Sequence, residues 1–168
     1  MGFDFNFRFV EERKDIRELE KHLLQQPMNY PHYEDWVSRS VEELENGYKN
    51  SILAFSEDFL VGNLMFQPHK QFSSIMEFKN MRVHEKLQGR YFGSFMVKQA
   101  EAEARKKGYK AIVGDIRSDN FPIMNMLKIL GYEELLRIPL YDQNTEDVVM
   151  VKKFDRTDKG LLLPIKNQ

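Results

Sequence analysis

Apolar residues recur along this chain with two periods, and the switches between them mark the elements. Phe3, Phe5, Phe7 and Phe9 alternate with Asp4, Asn6 and Arg8, which predicts a half-buried first strand. From about Glu12 to Gln25 the period changes: Ile16, Leu19, Leu23 and Leu24 return at helical spacing, and Pro27 follows as a stop. The loop from Gln26 to His32 carries Met28, Asn29, Tyr30 and Pro31. A second helix, from about Tyr33 to Glu45, holds Trp36, Val37, Val41 and Leu44 and ends at Asn46-Gly47. Aromatic residues at such a junction either pack or line a cleft.

Two apolar runs follow, Ser51 to Ser56 and Phe59 to Gln67, separated by Glu57-Asp58 as in a tight hairpin. Pro68, His69 and Lys70 open a loop into a third strand, Ile75 to Val83. Strands that arrive consecutively pair most cheaply as antiparallel neighbours. After the polar joint that begins at Gln88, the helical pattern that follows Gly93 turns Phe92, Phe95, Met96 and Ala100 to the core. On that helix Glu101 with Arg105 and Glu103 with Lys107 pair outward, and Gly108 caps the end. Lys110 to Ile116 reads as a buried strand, parallel to the strand before it because a helix intervenes. Asp119 or Asn120 then caps a helix with Pro122 in its first turn and Ile123, Met126, Leu127 and Leu130 on its apolar face, stopping at Gly131. Tyr132 to Tyr141 and Val148 to Phe154 close the pattern around the turn from Asp142 to Thr145. This order predicts an α/β fold with a mixed sheet of about seven strands, as one domain over residues 1–154. Residues 155–168, with Leu161-Leu162-Leu163-Pro164-Ile165, are expected to form a tail.

At 168 residues, with 42% hydrophobic and 12% aromatic residues, the chain suits one core rather than two. Its 25 Lys plus Arg against 26 Asp plus Glu give a net charge of -1, so nothing draws it generally to nucleic acid or to an anionic membrane. No basic stripe is interleaved with aromatics either. The absence of cysteine excludes disulfides, thiolate metal sites and a cysteine nucleophile. The first ten residues lack the apolar block of a signal peptide, and Asn6 stands where a myristoylation pattern wants Ser or Thr. A cytoplasmic address is therefore expected. His22, His32, His69 and His84 show no paired ligand spacing, so no metal is expected, and no serine sits in a nucleophile elbow.

The joint Gln88-Gly89-Arg90-Tyr91-Phe92-Gly93-Ser94 is the stretch with chemical content. Two glycines and a basic residue at a helix start aim backbone N–H groups and the positive dipole end in one direction, which suits phosphate. An ordinary strand-to-helix turn has the same composition. The spacing excludes a P-loop and a dinucleotide fingerprint.

Taken with the element order, three local patterns resemble the GNAT superfamily of acyl-CoA N-acyltransferases over about Phe3 to Phe154. Gln88, Tyr91 and Gly93 fall on the family's pyrophosphate loop, Gln/Arg-x-x-Gly-x-Gly/Ala, behind Val83 at the end of its strand. Asn120 with Leu130-Gly131-Tyr132 is similar to the family's Asn…Leu-Gly-Phe segment. The N-terminal helix pair stands where the family places one wall of its acceptor site. Tyr91 departs from the pattern, since the family has glycine there. Backbone donors survive that change, while a bulky side chain would crowd the phosphate.

The resemblance implies acetyl-CoA as co-substrate. The strand before the loop would splay from its parallel neighbour and offer backbone groups of Met81, Arg82 and Val83 to the pantetheine arm. Gln88, Gly89, Arg90, Tyr91, Phe92, Gly93 and Ser94 would hold the pyrophosphate, with Asn120 as a further cofactor or backbone contact. It also implies acetyl transfer to a primary amine. Removing the amine proton needs a base, and Glu77 stands where several protein-acetylating members carry theirs. Beside Met76, Phe78 and Met81, Glu77 would have its pKa raised by desolvation, whereas an ion-paired strand glutamate is the plainer alternative. Glu77 and Asn120 are thus the candidate catalytic residues. The family's usual acid, a tyrosine, is replaced by Leu127; Tyr132, Tyr141 or water remain as substitutes. Tyr30, Tyr33, Glu77 and Tyr141 are the candidate acceptor contacts, and Glu34, Asp35, Asp142, Glu146 and Asp147 favour a cationic amine, either small or on a protein. A homodimer stays open, as does an acyl-CoA-binding sensor or interaction module of weak activity, which Tyr91 and Leu127 would favour.

Overall fold

A computed structural model describes residues 4–154. Phe3 and the expected tail, residues 155–168, lie outside the described residues. In chain order the elements are β1 (Phe5–Phe9), α1 (Arg13–Gln25), α2 (Tyr33–Glu45), β2 (Asn50–Ser56), β3 (Phe59–Pro68), β4 (Ile75–Val83), a 3-10 turn (Glu85–Leu87), α3 (Phe92–Lys106), β5 (Ala111–Arg117), α4 (Phe121–Ile129), β6 (Glu133–Asp142) and β7 (Thr145–Lys153). The fold is α/β as predicted, with a mixed sheet of seven strands in the order β1-β2-β3-β4-β5-β7-β6. Contacts gather into two units: the residues up to Pro68 with Phe78–Ala100, and His69–Glu77 with the residues from Glu101 onward.

In the first unit β1, β2 and β3 run antiparallel, with Phe5 opposite Ser56 and Ser56 opposite Phe59 across the Glu57-Asp58 turn. The apolar stripes of α1 and α2 close over the strands. Ile16, Leu19, Leu23, Tyr33, Val37, Leu44, Leu53, Phe55 and Met65 form one core cluster. Leu19, Leu23 and Leu53 are completely buried, each worth roughly 1.5–3 kcal/mol relative to exposure. Leu24 shares the helical spacing but falls off the stripe and is exposed. Asp15 secures the start of α1 by accepting the amides of Glu11 and Glu12 at 3.0 and 3.1 Å and pairing with Arg8 at 2.6 Å. The alternating phenylalanines of β1 meet α3, with Phe5 and Phe7 ring centroids 4.8 and 5.4 Å from Phe92, and Phe7 4.4 Å from Phe95.

In the second unit β7 lies between β5 and β6, antiparallel to both, and the amide of Lys110 donates to the carbonyl of Ser74 at 2.8 Å as the chain enters β5. Glu101 was expected to pair outward, and the structure corrects this: Glu101 is 3% exposed. It accepts from Lys152 at 3.0 Å, with Arg105 at 3.5 Å. The reason is rotational, since Glu101 lies on the same helical stripe as Val97, Ala100 and Ala104, all buried. Glu103 and Lys107 do pair, at 3.3 Å on the more open face. Tyr132, expected to begin a strand, instead completes the end of α4, its amide donating to Leu127 O at 2.9 Å. The last hairpin is tighter than predicted, with β7 beginning at Thr145 rather than Val148. Pro139 is accommodated because β6 is the edge strand.

Candidate active site

The joint after β4 is built from local geometry. His84 leaves the strand with its amide on Val61 O at 2.7 Å, and the 3-10 turn follows. The Gln88 side-chain amide then reaches back to Val83 O at 3.1 Å and closes the loop at its base. Of the three residues expected to present backbone groups, Met81, Arg82 and Val83, the last therefore has its carbonyl engaged by Gln88. Gly89 and Tyr91 both adopt left-handed backbone, at φ 72° and 66°. Two left-handed residues one apart turn successive peptide planes into the entry of α3.

Tyr91 O accepts the amide of Phe95 at 2.9 Å, so α3 begins at Phe92, and Phe92, Gly93 and Ser94 form its first turn rather than part of the loop. Amides in a first helical turn have no partner within their helix and carry the positive end of the dipole. Tyr91 keeps the backbone conformation that glycine adopts easily, while its side chain is 83% exposed. The ring is turned to solvent. Arg90 is exposed beside it. Exposed N–H donors, a cation and no acidic residue from Gln88 to Ser94 fit an anionic pyrophosphate.

Upstream in the same unit, Arg82 is turned away from this loop. Its guanidinium is buried and donates to Asn80 Oδ1 at 2.9 Å, to the carbonyl of Gln26 and to the Tyr33 hydroxyl oxygen at 2.6 Å. Burial pushes its pKa down and the Tyr33 hydroxyl partly restores it. Tyr33 is buried as well; its hydroxyl donates to Leu23 O at 3.0 Å, and burial holds its pKa up. Tyr30 is half-buried on the connection between α1 and α2. Asn80 was not singled out by the sequence, yet it has φ 51° inside β4, accepts Asn63 Nδ2 on its carbonyl at 2.9 Å and points its amide at Met28 Sδ at 3.7 Å. An asparagine inside a strand pattern was the available signal, because asparagine tolerates the left-handed region better than its neighbours.

In the second unit Glu77 is half-buried on β4. Met76 and Phe78, its expected apolar surroundings, are buried by alternation on the opposite face. Asn120 caps α4, its Oδ1 accepting the Ile123 amide at 3.5 Å. Leu127 is fully buried. Of the substitute acids, Tyr132 is 3% exposed, and burial followed by neighbouring Glu101 drives its pKa far upward, so it stays protonated. Tyr141 is exposed and donates to Asp115 Oδ2 at 2.7 Å. Nearby Asp147 is buried; desolvation raises its pKa, the Leu140 amide opposes that, and Asp115 adds to the rise. Among the described residues no cluster of His, Asp or Glu is arranged to hold a metal ion, and no helix is long and apolar enough to cross a membrane.

A family model, the Acetyltransferase (GNAT) family, matches residues 13–132. Among curated proteins none matches the chain. Solved structures share the fold at low identity. The Salmonella typhimurium protein yncA, solved with its cofactor acetyl-CoA, superposes with a TM-score of 0.72 at 16% identity, over 90% of this chain and 95% of that one. The ribosomal-protein-S18-alanine N-acetyltransferase of Escherichia coli gives 0.72 at 14%, over 89% and 94%. Arabidopsis thaliana NAA60, in complex with a bisubstrate analogue, gives 0.71 at 15%, over 89% and 98%.

Proposed function

Since this chain belongs to the GNAT acetyltransferase family, we propose that it transfers an acetyl group from acetyl-CoA to a primary amine, either a small cationic amine or a lysine or N-terminal amine of a protein. The observation that carries the reading is the entry to α3, where left-handed Gly89 and Tyr91 precede the first-turn amides of Phe92, Gly93 and Ser94. These residues, with Gln88 and Arg90, hold the pyrophosphate, and backbone groups of Met81 to Val83 hold the pantetheine arm. Two structures with this fold, an alanine N-acetyltransferase and a protein bound to a bisubstrate analogue, support an amine acceptor and direct transfer.

Acetyl-CoA supplies an activated thioester. The acceptor ammonium must first lose a proton, and Glu77 on β4 takes it, directly or through a water. The neutral nitrogen then forms the C–N bond as the C–S bond breaks, the sulfur leaves with the electron pair, and the nitrogen gives up its second proton to that thiolate or to water. A thiol pKa of about 8.5 makes protonation of that sulfur a small requirement, which accords with a buried Leu127 in place of an acid. Asn120 fixes the start of α4. Tyr30 and Tyr33 serve the acceptor from the α1–α2 connection, Tyr33 by ordering that connection, while Tyr141 and the carboxylates of Asp115 and Asp147 favour a cationic acceptor.

Calorimetric titration with acetyl-CoA, followed by free-thiol release with spermidine, tyramine and a peptide bearing an N-terminal alanine, tests the reading. Saturable binding with thiol release by at least one amine, and a product heavier by one acetyl group, is expected. No binding of acetyl-CoA would refute it.

A further inference from the structure

The α1–α2 connection is short and mostly exposed: Gln26, Pro27, Asn29, Pro31 and His32 all face solvent. His32 is held left-handed at φ 57° as α2 begins. Such a segment has little core of its own to fix it. Met28 of this segment packs against the core cluster, and the two ends of the connection are tied from the other side of the chain, through Arg82.

We propose that Arg82 is a positioning residue, whose guanidinium clamps the α1–α2 connection onto β4 and so holds the acceptor wall in register with the strand that leads into the pyrophosphate cradle. One nitrogen reaches the carbonyl of Gln26 at the end of α1, another the hydroxyl of Tyr33 at the start of α2, and Nε holds Asn80 on β4 itself. Tyr33 passes the tie on to Leu23 O at 3.0 Å, and Asn80 reaches Met28 at 3.7 Å. Both ends of the connection and its midpoint are therefore referred to one side chain. The partners lie 56 and 49 residues away in sequence, so the clamp is tertiary rather than local.

The chemistry of the clamp argues for placement over stability. Arg82 is 8% exposed, and every partner is neutral; among the described residues no carboxylate pairs with it. Burying an unpaired guanidinium costs several kcal/mol before its hydrogen bonds offset the loss, and apolar side chains fill such positions more cheaply. What an apolar residue cannot do is fix three acceptors at set angles, which the planar fork does. Lysine has the charge without the fork. The clamp rests on geometry alone; its service to an acceptor rests on the acyltransferase reading above.

The test uses the full chain with Arg82→Met, Arg82→Lys and Tyr33→Phe. Amide hydrogen exchange across residues 26–33 reads the clamp without any ligand, calorimetry reads acetyl-CoA, and thiol release reads KM and kcat for whichever of spermidine, tyramine or the alanine peptide is accepted. In Arg82→Met, exchange should quicken about tenfold or more, acceptor KM should rise about tenfold with a smaller change in kcat, and acetyl-CoA Kd should stay within about twofold. Arg82→Lys should fail to restore protection, and Tyr33→Phe should move both readouts in the same direction by less. If Arg82→Met does not fold, Arg82→Lys and Tyr33→Phe carry the same measurements. Unchanged protection in the folded variants, or an acetyl-CoA Kd that rises in step with acceptor KM, would overturn the proposal. A wild-type chain that neither binds acetyl-CoA nor acetylates an amine would overturn the acyltransferase reading and the acceptor role together, while the exchange data would still decide whether the clamp exists.

Discussion

Gly62 on β3 faces the main-chain carbonyl of Arg82 so closely that a Cβ at this position would lie 2.7 Å from the oxygen. Backbone cannot yield as a flexible side-chain end can, and Ala54 and Met96 close the other sides at 3.6 Å. Gly62→Ala should therefore destabilise the fold by about 1–3 kcal/mol through overpacking, read as a lowered urea midpoint. Gly47, where a Cβ would meet nothing, is a position at which strain rather than contact would govern, so the two alanine variants separate crowding from conformation.

Asp15 predicts the acid end of the stability curve. The Arg8 guanidinium beside it, opposed by burial and helped by the amides of Glu11 and Glu12, lowers its pKa from 3.8 to about 2. A folded pKa below the unfolded one adds stability above the unfolded value and loses it as pH falls through the folded one, here between about pH 4 and pH 2. Arg8 is partly exposed, which reduces the pair's worth to about 1–2 kcal/mol. Asp15→Asn should cost that much at pH 7, and the gap between the two unfolding curves should close by about pH 2.

His22 sets a separate window. Its ring is buried, and desolvation, followed by the charge of Arg82 and by His84, brings its pKa from 6.5 to about 4. The unfolded chain takes up a proton that the folded chain refuses, so stability should fall by about 3 kcal/mol as pH drops from about 6.5 to 4. His22→Leu should flatten that part of the profile. Urea titrations at pH 7, 5.5 and 4 decide it, since a wild-type slope that persists in the variant would assign the loss to other groups.

These groups show what the sequence could and could not carry. The bounds of α2 and β4 fell at the predicted residues because local signals mark their limits, such as the Asn46-Gly47 stop and the polar joint that follows Val83. The joint from Gln88 to Ser94 was legible as the entry to α3 for the same reason, being a run of adjacent residues. Glu101 was misread because i to i+4 charge spacing is the same on every helical face, and only packing says which face is covered. Tyr132 was drawn from the strand into the end of α4 by Gly131, at φ 89°, whose turn carries the chain back on Leu127. On the acceptor side, alternation places Arg82 with Met76 and Phe78, but its partners on α1 and α2 are long-range and leave no local pattern. The left-handed Asn80 likewise meets distant partners, Asn63 and Met28.

Glu77 carries the catalytic prediction. Glu77→Gln keeps the size and strand geometry and removes only the ability to take a proton. A lost general base should lower kcat about 10²–10⁴-fold, most severely at low pH, where more of the acceptor is protonated. Acetyl-CoA affinity measured by calorimetry should be unchanged. Equal kinetics for variant and wild type across the pH range would remove Glu77 from the mechanism.

Tyr91 predicts an asymmetry between two small replacements. At φ 66° any residue with a Cβ is strained, by about 1–2 kcal/mol, while glycine is not. Its ring is 83% exposed and contributes little burial to set against that strain. Tyr91→Gly should thus leave stability unchanged or raise it by up to about 1 kcal/mol, its relief partly offset by the greater freedom of glycine in the unfolded chain. Tyr91→Ala keeps the Cβ and should gain nothing. In calorimetry with acetyl-CoA, Tyr91→Gly should bind at least as well as wild type, because the donors at the cradle are backbone amides that both chains possess. A Tyr91→Gly variant less stable than Tyr91→Ala would mean that glycine's added freedom outweighs the relief of strain, a Tyr91→Ala variant less stable than wild type would mean that the exposed ring stabilises the fold, and a Tyr91→Gly variant that loses acetyl-CoA affinity would make the ring itself part of the cradle.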